Sequence, residues 1–161
     1  MKSLVCDTGP INYLIQIDAI NVLTELFRPI LAPLSVHQEL SASAAPSKVR
    51  AWTAQTPPWF ELQDPPQSLT TNFPGLSTTD LPVLSLASEL KSAALIDDRA
   101  ARIAARQLSL PILGTLGILE LASVKHLINL PDAIHGLKRT NIRIAPELYN
   151  HILHRNGFKP N

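Results

Sequence analysis

The sequence predicts an α/β protein in which helices cover both faces of a parallel β-sheet. Three observations lead to this prediction. Short apolar runs alternate with stretches of helical periodicity along most of the chain. The apolar runs are typical of strands that are buried on both faces of a sheet. The 161 residues, 45% of them hydrophobic, suit one domain over residues 1–161 with an ordinary core.

The first half of the chain contains three predicted strands with helices between them. The strand at residues 3–6 ends abruptly, and Pro10 is suited to the first turn of the helix that follows. Ser35 is the predicted N-cap of a later helix that runs through Leu40. The predicted strands lie at residues 3–6, 29–33 and 59–62, and the helical pieces at 11–15, 20–27, 35–40 and 48–53.

The second half begins with a surface loop rich in Pro, Thr, Ser and Asn over residues 63–75. Ser77 opens a clear helix, and two further strand–helix pairs follow it. The predicted elements are a helix at 78–90, a strand at 93–96, a helix at 99–108, a strand at 110–113, a helix from Gly114, and helices at 132–139 and 146–155.

Acidic residues stand where predicted strands end. Asp7 follows the first strand, and Asp97 and Asp98 follow the fourth. Ligands of open α/β sheets bind outside the carboxyl ends of the strands, so Asp7 and Asp98 meet if strands one and four are neighbours, as in the order 3-2-1-4-5. Glu39 and Asp80 are predicted in the first turn or so of two helices, which can face the same crevice.

Converging carboxylates of this kind repel one another unless a cation neutralises them. Oxygen ligands suit Mg²⁺, or Mn²⁺ in its place, and no Cys/His cluster indicates zinc. Carboxylate-bound Mg²⁺ orients and activates water for in-line phosphoryl displacement. Metal-assisted hydrolysis of a phosphodiester is therefore the chemistry that this pattern favours.

Each acid also has a purely structural interpretation. Asp80 completes a capping box with Ser77, a role that can coexist with metal binding. Asp97 or Asp98 could simply cap the next helix. Glu39 on its own is typical of a solvated helix surface. The ordered set, rather than any single acid, therefore carries the functional prediction.

Four segments resemble the PIN-domain family, and within it the small prokaryotic branch related to VapC-type toxins. The resemblance implies a three-layer α/β/α fold with about five parallel strands and an Mg²⁺-dependent endoribonuclease activity. The most specific piece is the IDDR…LPILGTLG stretch. The segments are residues 5–23 (VCDTGPINYLIQIDAINVL), 32–40 (APLSVHQEL), 95–119 (LIDDRAARIAARQLSLPILGTLGIL) and 143–158 (RIAPELYNHILHRNGF).

The resemblance also implies roles for individual residues. Asp7 matches the first acid of the family, Glu39 the second, and Asp98 the acid after the fourth strand, with Asp97 as a neighbouring ligand in the same turn. The hydroxyl of Thr8 would support the site.

The third acidic motif departs from the branch, which usually has Leu-x-x-Gly-Glu before a helix. Here the segment runs from Leu76 to Asp80, with Thr79 in place of the glycine and a carboxylate one methylene shorter. Glycine would let the backbone approach closely. The departure bears on metal affinity rather than on the fold.

Partners follow from the same interpretation. Arg99 and Arg102 lie on one face of the helix after Asp98 and are candidate RNA contacts, although a solvated helix face explains them too. The resemblance suggests a small antitoxin protein and a homodimer. The single cysteine and the absence of a signal peptide or long apolar run favour a soluble cytoplasmic protein without a membrane partner.

Parts of the sequence also bear on function classes other than an active nuclease. Asp7-Thr8-Gly9 is also the tripeptide of aspartic proteases, but the helical pattern after it opposes an all-β dimer. The main alternative is a PIN-fold protein with weak or no cleavage activity that acts through partner or RNA binding. Within the nuclease class, a stand-alone RNA-processing enzyme is the alternative to a toxin.

Overall fold

The computed structural model describes residues 2–159 and contains a five-stranded sheet in the order β3-β2-β1-β4-β5. Every neighbouring pair of strands is parallel. The strands are β1 (Leu4–Cys6), β2 (Ile30–Ala32), β3 (Phe60–Leu62), β4 (Ala93–Leu95) and β5 (Ile112–Leu113). The predicted fold class and strand order are confirmed.

Nine helices connect and flank these strands within the described residues. They are α1 (Thr8–Gln16), α2 (Val22–Leu26), α3 (Leu34–Ser41), α4 (Ser47–Ala54), α5 (Asp80–Glu89), α6 (Arg99–Gln107), α7 (Thr115–Val124), α8 (Leu130–Lys138) and α9 (Pro146–Arg155). None of the helices within residues 2–159 has both the length and the apolarity that a membrane crossing demands.

The central strand β1 is completely buried, because Leu4, Val5 and Cys6 have no exposed surface. The α5 helix packs against β1 and β4 and also contacts α6. The α1 helix packs against α3, α4 and α7. A strand that is buried on both faces consists of consecutive apolar residues, and for this reason the sequence pattern predicted its position.

The predicted starts of α3 and α8 are wrong, and α5 begins at Asp80 rather than at residue 78. The α3 helix begins at Leu34, one residue before the predicted cap, and Ser35 Oγ has no hydrogen-bond partner. The first main-chain N–H of α3 donates instead to Asp64 Oδ1 at 2.9 Å, from the loop after β3. The α8 helix begins at Leu130, with Asn129 as its side-chain cap, rather than at Asp132. In the first case the cap comes from a distant segment, which local sequence does not reveal.

The sheet reverses its direction of winding between β1 and β4. The chain passes from β1 outward to β2 and β3, then returns to the other side of β1 to form β4 and β5. Loops at the carboxyl ends of β1 and β4 therefore diverge and leave a crevice between them. The register pairs Cys6 with Leu95, so the residues that follow both strands lie at the same edge.

Candidate acidic site

A cleft of about 300 Å³ occupies this crevice. It is lined by the carboxyl end of β1, the first turn of α1, the α3 helix, the loop before α5 and the start of α6. The lining residues are Asp7, Thr8, Gly9, Glu39, Gly75, Ser77, Thr79, Asp80 and Asp98. The structure thus brings together all four acids that the sequence proposed as catalytic.

Asp7 is one of the two buried acids that line the cleft. It follows β1, its main-chain N–H donates to Leu95 O at 3.0 Å, and only 7% of the residue is exposed. Burial raises the pKa of the Asp7 carboxyl to about 7; the Thr8 main-chain N–H opposes the shift, and the charges of Asp80, Glu39 and Asp97 add to it. A buried carboxylate surrounded by other acids is costly to ionise unless a cation is bound nearby.

Glu39 reaches the cleft from the second turn of α3, so the prediction that it lies in the first turn or so is corrected. Its carboxylate oxygen Oε2 accepts a hydrogen bond of 2.5 Å from Thr8 Oγ1. Thr8 is the first residue of α1, directly after Asp7. The supporting role predicted for Thr8 therefore has a geometric basis, because its hydroxyl holds Glu39 beside the end of β1.

Asp80 is the first residue of α5 and is 5% exposed. Its Oδ2 accepts from the Ser77 main-chain N–H at 2.5 Å, and its own main-chain N–H donates to Ser77 Oγ at 3.3 Å. This reciprocal pair has the geometry of the predicted capping box. The side chain nevertheless lines the cleft, so the two roles coexist at this residue.

The residue that replaces the family glycine takes part in the same turn. Thr79 is 7% exposed, and its Oγ1 lies 3.0 Å from Ser77 Oγ. Gly75, at the other end of this loop, has a φ of +80° and would place a Cβ 3.4 Å from Ala100 Cβ. The loop therefore approaches the start of α6 at Gly75, whose positive φ favours glycine, and not at Thr79.

Asp98 enters the cleft from the end of β4. It is the N-cap of α6, and its Oδ1 accepts from the Ala101 main-chain N–H at 2.9 Å. The predicted capping role is therefore present together with the position in the cleft. An exposed carboxylate at a helix N-terminus interacts favourably with the helix dipole, so the capping position suits the charge of Asp98.

Asp97, the neighbour proposed as a further ligand, is not among the cleft residues. Its Oδ1 accepts from the Thr115 main-chain N–H at 2.8 Å and its Oδ2 from Thr115 Oγ1 at 2.5 Å. Both oxygens are thus engaged at the start of α7. Thr115 was not predicted to belong to the site, although it follows a strand closely, as Asp7 and Asp98 do.

The two arginines proposed for RNA binding differ in their surroundings. Arg99 is exposed at the first position of α6, next to Asp98. Arg102 is half-buried, and its Nη1 donates to Ile96 O at 3.0 Å. It lines a neighbouring groove of about 550 Å³ together with Arg143 and Arg155. Of these two arginines, Arg99 is the exposed one and directly follows a residue that lines the cleft.

The cleft carries the oxygen ligands that a hard divalent cation prefers, but these ligands do not form a complete coordination shell. Neither ion pair found within residues 2–159, Lys48–Asp18 or Arg155–Glu120, involves a cleft acid. Over the same residues, no three His, Cys, Asp or Glu side chains already surround one point. Uncompensated carboxylate oxygens fit Mg²⁺ or Mn²⁺, and the side chains would have to converge as the ion binds.

Comparison with known proteins agrees with this architecture. A family model, DUF3368, described as a PIN domain, matches residues 3–157. No curated protein matches the chain. The matched range spans the whole sheet and every acid of the cleft, and the PIN domain is a nuclease fold. The chain therefore belongs to the PIN-domain family.

Proposed function

We propose that the protein is an Mg²⁺-dependent endoribonuclease that hydrolyses RNA phosphodiester bonds and serves as the toxin of a toxin–antitoxin pair. The observation that carries the proposal is the convergence of Asp7, Glu39, Asp80 and Asp98 on one cleft at the carboxyl edge of the sheet. The buried Asp7, whose pKa is raised to about 7, supports it, because within residues 2–159 no Lys, Arg or His lines the cleft and no ion pair involves a cleft acid.

The four acids would hold Mg²⁺, or Mn²⁺ in its place, through carboxylate oxygens. When bound, the metal supplies activated water and stabilises the charge that develops on the phosphodiester. Thr8 Oγ1 orients Glu39, and Ser77 orients Asp80 through its main-chain N–H. Arg99, exposed beside Asp98, would bind an RNA phosphate at the cleft entrance.

The direct experiment is RNA cleavage by the purified protein with Mg²⁺, with Mn²⁺, and with excess EDTA. We expect cutting with either metal and none in EDTA, together with Mn²⁺ binding by calorimetry. The matched comparison is between the Asp7→Asn and Asp132→Asn variants. Asp132 is an exposed acid in the first turn of α8 and lies outside the cleft. A wild-type protein that neither cuts RNA nor binds Mn²⁺ would contradict the proposal.

The toxin role is tested separately. Expression of the wild-type protein in bacterial cells is expected to arrest growth, and expression of Asp7→Asn is not. A toxin of this type acts on cytoplasmic RNA, is inhibited by a small antitoxin that covers the cleft, and forms a homodimer. Co-purification with the product of a neighbouring reading frame tests for the antitoxin, and light scattering tests for the homodimer. Cleavage without growth arrest would favour a stand-alone RNA-processing enzyme.

A second candidate function is that of a PIN-fold protein with little cleavage activity, which acts by binding RNA or a partner. Two observations favour it. Asp80 is engaged in a capping box behind Thr79, where the related branch has glycine, and the acids do not yet surround one point within the described residues. RNA binding in EDTA without cleavage in Mg²⁺ or Mn²⁺ would select this candidate.

A further inference from the structure

Asp97, Gly114 and Thr115 form a compact contact between two strand ends, which we call the Asp97–Thr115 clasp. Asp97 follows β4, and Gly114 and Thr115 follow β5. Both oxygens of the Asp97 carboxylate accept hydrogen bonds from Thr115, one from the main-chain N–H and one from the hydroxyl. Thr115 has no exposed surface. The clasp therefore ties the carboxyl end of β4 to the first turn of α7.

Gly114 makes this contact sterically feasible. A Cβ built at Gly114 would lie 2.9 Å from Asp97 Oδ1 and 2.9 Å from Arg102 Nη1. The φ of Gly114 is −116°, which any residue adopts, so glycine is required here by the close approach and not by the backbone conformation. A side chain at this position would push the Asp97 carboxylate away from Thr115.

Asp97 and Asp98 are consecutive residues, and further hydrogen bonds hold the main chain on either side of them. The Ile96 main-chain N–H donates to Leu113 O at 2.8 Å, and Ile96 O accepts from Arg102 Nη1 at 3.0 Å. Asp98 itself accepts from the Ala101 N–H at 2.9 Å. Consecutive acids are therefore held in different directions, Asp97 toward α7 and Asp98 into the cleft.

We propose that Asp97 is a positioning residue, which acts through Thr115 to hold Asp98 in the orientation that serves the cleft, and that it is not itself a metal ligand. This inference rests on the proposed function. Residues that orient the ligands of a metal without touching it are a general requirement of metal sites, and their loss typically weakens metal affinity or activity by about 10- to 100-fold.

The test removes the hydroxyl while keeping the Asp97 charge. Thr115→Val is expected to raise the Mn²⁺ dissociation constant and to lower kcat about 10-fold each, with KM for RNA unchanged. Thr115→Ser restores the hydroxyl and is expected to recover most of both losses. Gly114→Ala, whose added methyl group meets both Asp97 Oδ1 and Arg102 Nη1, should change the same two quantities in the same direction as Thr115→Val.

Thr53→Val is the matched control. Thr53 is also buried, and its Oγ1 donates a hydrogen bond of 2.9 Å to Arg50 O, but it lies on α4 and does not line the cleft. The variant loses a comparable buried hydroxyl and is expected to lose stability in urea unfolding without any change in Mn²⁺ affinity. If Thr115→Val behaves like Thr53→Val, with only stability reduced, the positioning role is wrong.

A double-mutant cycle separates positioning from direct ligation. If Asp97 acts through Thr115, adding Asp97→Asn to Thr115→Val weakens Mn²⁺ binding little further. A second, additive loss would show that Asp97 binds the metal itself and would overturn the inference. If the wild-type protein binds no Mn²⁺ and cuts no RNA, the proposed function is wrong and the positioning role is wrong with it. If the wild-type protein binds Mn²⁺ and cuts RNA, and Thr115→Val does both equally well, only the positioning role is wrong.

Discussion

The acidic cleft and the Asp97–Thr115 clasp lie side by side at the carboxyl edge of the sheet, yet their carboxylates have opposite environments. In the clasp, both oxygens of one half-buried acid accept hydrogen bonds from a single threonine. In the cleft, four acids share about 300 Å³, and one of the two buried ones, Asp7, has a pKa raised by its own desolvation.

This difference shows how to separate a structural acid from a functional one. A carboxylate whose oxygens are paired with donors stabilises the fold and has little left to offer a ligand. A buried carboxylate among like charges destabilises the fold unless something positive binds. The adjacent residues Asp97 and Asp98 also differ, because both oxygens of Asp97 accept from Thr115, whereas Asp98 is exposed, lines the cleft and accepts one hydrogen bond from the Ala101 N–H.

The largest expected effect is the loss of cleavage on neutralising a strand-end acid of the cleft. Asp7→Asn and Asp98→Asn should each reduce Mg²⁺-dependent RNA cleavage by ~1,000-fold or more, because each removes a charged oxygen from the cleft that is proposed to bind the metal. The cleavage rate and the circular dichroism spectrum are measured on the same preparation. An Asp7→Asn protein that cuts RNA at the wild-type rate would show that the first acid is assigned wrongly.

The second prediction concerns stability in EDTA. Because the pKa of Asp7 in the folded protein, about 7, lies above its ordinary value of 3.8, the folded state binds the proton more tightly. The contribution of Asp7 to stability is therefore fully present below about pH 4 and is lost as the pH rises through about 7. Asp7→Asn, which escapes this loss, should be more stable than wild type above pH 7 by at most ~4 kcal/mol.

Urea unfolding at pH 5 and pH 8 measures this difference. The gain from Asp7→Asn should be larger at pH 8 and should shrink when Mn²⁺ is added to both proteins, since binding stabilises the wild type more. Asp132→Asn, at an exposed position outside the cleft, should show no such pH-dependent gain. Equal stabilities of wild type and Asp7→Asn at pH 8 would mean that the buried carboxylate is compensated in some other way.

A third prediction addresses the contact within the cleft that most resembles the clasp. Thr8→Val removes the hydroxyl that holds Glu39 and should weaken Mn²⁺ binding about 10-fold, with Thr8→Ser recovering most of it. Calorimetry with Mn²⁺ measures both variants. Wild-type affinity in Thr8→Val would show that Glu39 needs no positioning hydroxyl.

The smallest expected effect is that of lengthening the third acid. Asp80 is buried and already lines the cleft, so Asp80→Glu should change the cleavage rate by less than about threefold. The initial rate of RNA cleavage at saturating Mg²⁺ is the measurement. A gain well beyond this would show that the shorter side chain limits the site and would favour the weakly active interpretation of the wild-type protein.

Much of the fold could be predicted because its signals are local. The fully buried strand β1 appears as an uninterrupted apolar run before Asp7, and β4 appears in the same way before Asp97. The reversal of the chain at β1 follows from the strand order, which the resemblance to PIN domains supported and the structure confirms. That residues 1–161 form one domain stays a prediction.

The start of α3 and the extent of β5 were predicted less well, because their determinants are not local. Asp64, thirty residues away, satisfies the first N–H of α3, and Ser35 is left without a partner. The last strand contains only Ile112 and Leu113, where an apolar run of four residues predicted twice that length. Pro111 has no N–H to donate, which limits pairing at the beginning of this run.

By itself, the sequence determined the order of strands and helices and the placement of Asp7 and Asp98 after strands, because hydrophobic periodicity is written into neighbouring residues. Only the tertiary structure decided that Thr8 holds Glu39 across 31 positions, and that Asp97 turns to Thr115, 18 positions away, while Asp98 faces the cleft. The direction of a side chain at a strand end depends on the donors that the rest of the fold brings to it, and those donors come from other strands and helices.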